Sequence, residues 1–247
     1  MKALLLAAGY GTRLRPITST VPKCLVPIHG IPLLHVWITR LMNFGVSEII
    51  VNTHYKSEMV TKFIETQAYD CKISIIFEKE LLGTAGTLLN LAAELARDRF
   101  FVFHADNLSF INLKSFLENH SNRSSNCIMS MATFQTDTPE TCGIVEIDAN
   151  NILQRFIEKP SISTNFRANS ACFVFEHEIF IDQSISTVDV TKNIDISIDL
   201  IPNLINKINV FDFSDYHRDI GSMHALEKAQ LEVSKAMLEK EMNGHKQ

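Results

Sequence analysis

Along its first half the chain alternates short apolar runs with segments of helical spacing. Lys2–Ala8, apolar throughout after Lys2, reads as a strand buried on both faces. Within Pro32–Phe44, Leu34, Trp37, Ile38 and Leu41 fall on one side of a helix, and Gly45 is placed to end it. Glu48–Thr53 reads as a strand, Ser57–Thr66 as a helix and Lys72–Phe77 as a strand. Thr84–Ala96 carries Leu88, Leu91, Ala92 and Leu95 in helical register. Phe100–Ala105 is another buried strand, with Asp106 at its carboxyl end. This alternation predicts an α/β fold with a mixed, mainly parallel sheet flanked by helices.

The second half changes character. Cys127–Phe134 reads as a strand, and Gly143–Asp148 and Ile152–Lys159 alternate about Ala149-Asn150-Asn151 as a hairpin would. Ala171–Phe175 is a further strand, Ile198–Asn206 a short helix and Gly221–Met242 the last helix, with a polar tail after Gly244 expected to fray. No long linker or internal repeat interrupts the chain, and no hexapeptide array follows residue 222, so no appended β-helix is expected. The expectation is one domain over 1–247, with a core mainly in 1–135, a small antiparallel insertion at about 136–220 and a C-terminal helix at about 221–243.

Composition narrows the function. At 247 residues, 46% hydrophobic and 21% charged, the chain has the material for a sizeable core. A formal net charge of −5 argues against a general nucleic-acid binder, which carries a basic face. It does not argue against a small anionic substrate, because a few converging cations hold one locally. The five cysteines are scattered and form no Cys-x-x-Cys pair, which predicts free thiols and a reducing compartment. Ala3–Ala8 is shorter than a secretory apolar region and runs straight into Gly9 and Arg13. With no apolar stretch of membrane-spanning length, a cytoplasmic protein without nucleic-acid or membrane partners is expected; a homo-oligomer is left open.

The candidate chemistry starts at "AAGYGTRLRP", residues 7–16, directly after the first apolar run. A dinucleotide fingerprint would need a third glycine where Leu14 stands, and a P-loop would need Gly-Lys-Ser/Thr where the chain has Thr12-Arg13-Leu14. Glycines still let backbone N–H groups close on phosphate oxygens. Arg13 offers a planar fork for phosphate, and Lys23, after Val21-Pro22, a mobile point charge. The run from Gly9 to Pro16, with Pro22-Lys23, resembles the opening of the sugar-nucleotide pyrophosphorylases (sugar-1-phosphate nucleotidylyltransferases).

Further matches follow in family order over almost the whole chain. Leu82-Gly83-Thr84-Ala85-Gly86 resembles the family's base-recognition segment, and His104-Ala105-Asp106 stands where the family has a metal-binding aspartate. Gly143, Glu158-Lys159-Pro160 and Asn169 fall where the family binds sugar phosphate, and Asp219-Ile220-Gly221 matches its second metal aspartate. The resemblance implies a Rossmann-like, GT-A-like nucleotidyltransferase fold. It implies Arg13, Lys23 and Asp106 as catalytic residues, and nucleotide binding by Ala8, Gly9, Gly11, Thr12, Arg13, Lys23, Glu78, Gly83 and Thr84. It also implies sugar-phosphate binding by Gly143, Glu158, Lys159 and Asn169, and Mg²⁺ held by Asp106 and Asp219. The implied reaction joins a nucleoside triphosphate to a sugar 1-phosphate with release of pyrophosphate.

Substrate identity rests on finer signals. Glu78, at a strand end, could accept from N1–H and N2–H₂ of guanine, or be a solvated carboxylate. With "EKELLGTAGTL", residues 78–88, it resembles guanylyl-transferring members and leans to mannose 1-phosphate or a related hexose or heptose 1-phosphate. Thymidylyl, uridylyl or cytidylyl transfer, and a regulatory subunit without catalysis, are the alternatives. Arg15 and Arg218 read equally as helpers or surface cations, and Pro160 is expected to hold Lys159 extended. Ala171 and Cys142 depart from the family's usual glycine and aromatic, which bears on the sugar pocket.

Overall fold

A computed structural model describes residues 1–185, 188–189 and 192–244; the last three residues of the polar tail lie outside the described residues. The chain forms two compact units, one of Met1–Leu81, Phe103–Phe110 and the segment from Tyr216, the other of Leu82–Val102 and Ile111–Asp215. The class is the expected α/β, a mixed, mainly parallel sheet with flanking helices.

In the first unit the strands Lys2–Leu6, Glu48–Thr53 and Lys72–Phe77 run parallel, with Lys2 opposite Glu48 and Glu48 opposite Lys72. Ala3–Leu6 and Ile49–Val51 are buried, which is why these runs carry no polar alternation. The helix Leu33–Phe44 buries Leu34, Trp37, Ile38 and Leu41 and ends at Gly45, whose φ of 88° is the left-handed cap glycine favours. Ser57–Thr66 is the second helix. Asn107–Ser109 and His217–Asp219 make a short antiparallel ribbon in which Asn107 faces Asp219. The expected C-terminal helix is two helices, Met223–Glu232 and Lys235–Asn243. Val233 is extended between them, and the Ser234 side chain accepts from the Met237 N–H to start the second.

In the second unit Met129–Gln135 lies between Arg167–Phe175, antiparallel, and Ile208–Asp212, parallel. The expected hairpin forms as Gly143–Ile147 against Leu153–Glu158, pairing Gly143 with Glu158. The expected Thr84–Ala96 helix is Gly83–Asn90 followed by a short turn, Ala92–Leu95, because Leu91 leaves helical geometry. Ile198–Asn206 is instead a π-helical turn, Ile196–Leu200, and a 3₁₀ turn, Ile201–Leu204; Pro202 has no N–H to continue a regular helix. The helix Leu113–Ser121 and the strand Ile208–Asp212 were not expected from the apolar pattern. In the helix only Leu113, Phe116 and His120 are buried, which leaves a sparse apolar signal.

Candidate active site

The glycine loop leaves the end of the first strand. Gly11 has φ 64°, and a Cβ there would meet the Thr18 methyl at 2.9 Å and the Lys23 Cβ at 3.1 Å. Glycine therefore lets the stem of Lys23 pack under the loop, and Thr18 Oγ1 donates to the Gly11 carbonyl at 2.7 Å. A Cβ at Gly9 would meet nothing within 4 Å, so the protein's own packing does not require that glycine. Leu14, the residue that defeats both familiar phosphate motifs, is fully buried in a cluster with Val26, Ile28 and Leu108 and anchors the short turn Thr12–Leu14.

Four of the expected residues come together in the first unit. Lys23 Nζ donates to Asp106 at 2.5 Å and to Asp219 at 3.1 Å, and Arg13 lies 3.8 Å from Asp219. The ribbon explains the pairing of carboxylates far apart in sequence: Asp219 faces Asn107, and Ile220 N–H donates to the Asp106 carbonyl. Gly221 leaves room for the contact, since a Cβ there would sit 2.6 Å from Asp219 Oδ2 and 3.0 Å from the Arg13 guanidinium. Burial opposes charge on Lys23, but the fields of Asp106 and Asp219 outweigh it and raise its pKa above the ordinary lysine value. Burial likewise opposes charge on Asp106, where Lys23 and then His104 prevail and lower its pKa. Lys23 is buried, whereas Arg13 is mostly exposed and free to meet a ligand.

Glu78 is buried rather than solvated. Its Oε1 accepts from Asn52 Nδ2 at 2.8 Å, and Asn52 Oδ1 accepts from the Ala7 N–H at 2.7 Å. One amide side chain thus ties the start of the glycine loop to the residue after the Lys72–Phe77 strand. His54 Nδ1 meets the Glu78 carbonyl at 2.8 Å, and Tyr10 hydroxyl lies 3.0 Å from His54 Nε2. With Nδ1 donating to the carbonyl, the Nε2 edge of the ring is left to face the Tyr10 hydroxyl. Sequence reading missed Asn52, His54 and Tyr10; the available signal was a polar residue closing the apolar run Ile49–Val51.

The remaining expected residues lie in the second unit, in separate groups. Gly83 has φ 79°, and a Cβ there would come within 2.1 Å of the Ile194 carbonyl. Thr84 Oγ1 donates to Asp195 at 2.9 Å and accepts from the Ile196 N–H at 2.8 Å, a pairing sequence reading did not foresee. Gly143 lies under Phe156 and Glu158, whose atoms a Cβ would meet at 2.3 and 2.8 Å. Lys159 Nζ is 3.3 Å from Glu158, and its N–H donates to the Cys142 carbonyl. The expectation of an extended Lys159 is wrong: its φ is 47°, because the hairpin turns sharply to leave the strand at Glu158. Asn169 Oδ1 accepts from the Ala171 N–H at 2.9 Å across a bulge, and its amide reaches Ser197 Oγ at 3.4 Å. Ala171 has φ 54°, a left-handed backbone conformation that favours glycine.

Arg218 is committed to Glu232 at 2.9 Å, with Tyr216 beside it, while Arg15 is exposed. All five cysteines are free. Among the described residues, a three-membered group of metal-type side chains occurs at Glu176, His177 and Glu178, where Arg123 and His120 already hold Glu176. No helix among the described residues is long and apolar enough to cross a membrane.

A family model described as "Nucleotidyl transferase" matches residues 2–236. The chain is 29% identical over 225 residues to a mannose-1-phosphate guanylyltransferase of Mycobacterium tuberculosis, covering 89% of this chain and 61% of that protein. It is 31% identical over 232 residues to a mannose-1-phosphate guanyltransferase of Kluyveromyces lactis, covering 90% and 61%. The chain therefore spans about three fifths of the length of these relatives. Among solved structures, a putative glucose-1-phosphate thymidylyltransferase of Bacillus anthracis superposes with a TM-score of 0.82 at 21% identity, over 94% of each chain. HddC of Yersinia pseudotuberculosis, solved in complex with GMP-PN, superposes with a TM-score of 0.77 at 24% identity, over 94% of this chain and 98% of the other.

Proposed function

The chain belongs to the nucleotidyl transferase family, and from that premise we propose that it transfers a nucleotidyl group from a nucleoside triphosphate to a sugar 1-phosphate, releasing pyrophosphate. The observation that carries this reading is the convergence of Arg13, Lys23, Asp106 and Asp219 beside the glycine loop. GTP and mannose 1-phosphate, or a related hexose or heptose 1-phosphate, are the proposed substrates, supported by relatives named mannose-1-phosphate guanylyltransferases.

The chemistry follows from charge. An ionised sugar phosphate is already the nucleophile, so no covalent intermediate and no strong general base are required. The task is to align it in line with the α-phosphate and to offset the charge of two anions. Backbone N–H groups of Ala8 to Thr12 would wrap the triphosphate, and Arg13 and Lys23 would steady the departing pyrophosphate. Glu78 would read the base edge, and Gly83 and Thr84 would take part in nucleotide binding. In the second unit Gly143, Glu158, Lys159 and Asn169 would bind the sugar phosphate, with Lys159 supplying the charge. Asp106 and Asp219 would hold Mg²⁺: their carboxylates already converge on one cationic atom, and hard oxygen donors suit that ion. Bound there, Mg²⁺ would draw charge from the phosphate oxygens.

The test is pyrophosphate release with GTP, dTTP, UTP and CTP, each against mannose, glucose and heptose 1-phosphates in the presence of Mg²⁺. GTP with mannose 1-phosphate or a close relative should turn over fastest, and Asp106→Asn should lower that turnover about 100-fold or more, a far larger effect than on folding stability. No turnover with any pair would overturn the enzymatic reading. Glu78→Gln should lower the ratio of GTP to dTTP use; an unchanged ratio would limit Glu78 to holding Asn52.

A further inference from the structure

Lys23 occupies the point on which both proposed metal ligands converge. Its ammonium is within hydrogen-bond distance of Asp106 and of Asp219, and a second cation cannot share that point. Arg13, at 3.8 Å from Asp219, adds a second positive charge. Two carboxylates facing one ammonium and one guanidinium leave the group electrically closed with no metal bound. A divalent cation approaching the free protein meets the repulsion of Lys23 at contact range, in a partly desolvated setting where it is weakly screened. A triphosphate changes that balance, because it brings several negative charges to which an ammonium can transfer. The Lys23 stem is held at its base under Gly11 while its end is a flexible point charge, so the head can swing without moving the loop.

Resting on the proposed reaction and metal pair, we propose that Lys23 is the site's own counter-cation, seated between Asp106 and Asp219 until a nucleoside triphosphate draws it away. In that role Lys23 keeps the carboxylates from taking a divalent cation alone and couples their release to nucleotide arrival. Lys23 is then a positioning residue for the metal pair in the free protein and a phosphate ligand in the complex.

The test uses the full chain without nucleotide, titrated with Mn²⁺ and followed by the electron paramagnetic resonance of the free ion. Lys23→Met should bind one Mn²⁺ about tenfold or more tightly than wild type. The double variant with Asp106→Asn should lose that gain, and Lys23→Arg should match wild type. Equal Mn²⁺ affinity in wild type and Lys23→Met would overturn the proposal. Should Lys23→Met fail to fold by circular dichroism, the wild-type chain gives the answer through its lysine ammonium resonances, ¹⁵N-labelled and observed by NMR. The Lys23 resonance should persist with millimolar Mg²⁺ alone and shift or vanish when guanosine 5′-(β,γ-imido)triphosphate is added with Mg²⁺. A shift with Mg²⁺ alone, or none with both, overturns it. Because Mn²⁺ binding is read without turnover, its outcome is separate from the pyrophosphate assay, which alone reports whether the reaction assignment fails.

Discussion

Ala171 holds a backbone conformation that favours glycine. Its φ of 54° costs about 1–2 kcal/mol for a residue with a Cβ. The bulge survives because Asn169 Oδ1 accepts from the Ala171 N–H and the strand resumes regular pairing at Phe173. A strained residue kept beside a proposed substrate side chain is the arrangement expected where position outranks stability. Ala171→Gly relieves the strain but adds freedom to the unfolded chain worth about 0.5–1 kcal/mol, so the net gain should be about 0.5–1 kcal/mol. A urea midpoint that rises at constant slope is the expected outcome, and a fall would show that the Ala171 methyl packs usefully. Lys159 teaches the same lesson: the rule that a residue before proline is extended failed where the hairpin's exit set the backbone instead.

At the scale of elements, parallel strands bring like positions into rows, and the row at the strand starts is Lys2, Glu48, Lys72. Glu48 meets Lys72 at 2.8 Å and Lys2 at 2.9 Å and accepts from Ser74 Oγ, contacts that pull its pKa down to about 2, those with Lys72 and Ser74 first. A depressed carboxylate stabilises the fold above its unfolded pKa of about 4.3 and loses that contribution as pH falls toward 2. The shift alone sets an upper bound of about 3 kcal/mol, and the exposure of Lys72 reduces the expected contribution to about 1–2 kcal/mol. Glu48→Gln should cost that amount at pH 7 and flatten the stability curve between pH 4.3 and 2; an unaltered acid limb in chemical denaturation would refute it. Two strands of this row, Glu48–Thr53 and Lys72–Phe77, have the expected bounds, while the first, expected over Lys2–Ala8, ends at Leu6. Arg13, Lys23, Asp106 and Asp219 were legible because each sits in a local motif, and the structure brings them together. Asn52 and the Thr84–Asp195 pair were not, because their partners are set by strand register and by a distant loop that no local pattern encodes.

Across the whole molecule the chain builds neither compact unit from one continuous segment: it leaves the first at Leu81, returns for Phe103–Phe110, and returns again at Tyr216. Contacts of long sequence separation therefore carry the stability of both units, and buried polar groups within them have to be satisfied by residues far apart in sequence. His120 in the second unit is such a group. It is fully buried, with Nδ1 2.8 Å from Ser130 Oγ and Nε2 3.0 Å from Glu176. An ionised Glu176 carboxylate can only accept, so the proton of the neutral ring lies on Nε2, facing Glu176, and Nδ1 accepts from the Ser130 hydroxyl. Burial, followed by the nearby charges of Arg123 and Arg99, pushes the His120 pKa down to about 3. The sign is opposite to that of a histidine gaining a carboxylate partner: the unfolded ring takes a proton near pH 6.5 and the folded ring does not. Stability from this group is complete above about pH 6.5 and falls as pH drops toward 3, by at most about 1.4 kcal/mol per pH unit. That window opens about two pH units above the one assigned to Glu48, so the two groups separate in a single denaturation series. His120→Gln, which keeps a polar side chain but cannot titrate, should flatten the slope between pH 6.5 and 4.5 while leaving the limb below 4.3 steep. An unchanged slope in that upper window, or an imidazole that titrates near 6.5 by NMR in the folded wild type, would show that Glu176 holds His120 charged.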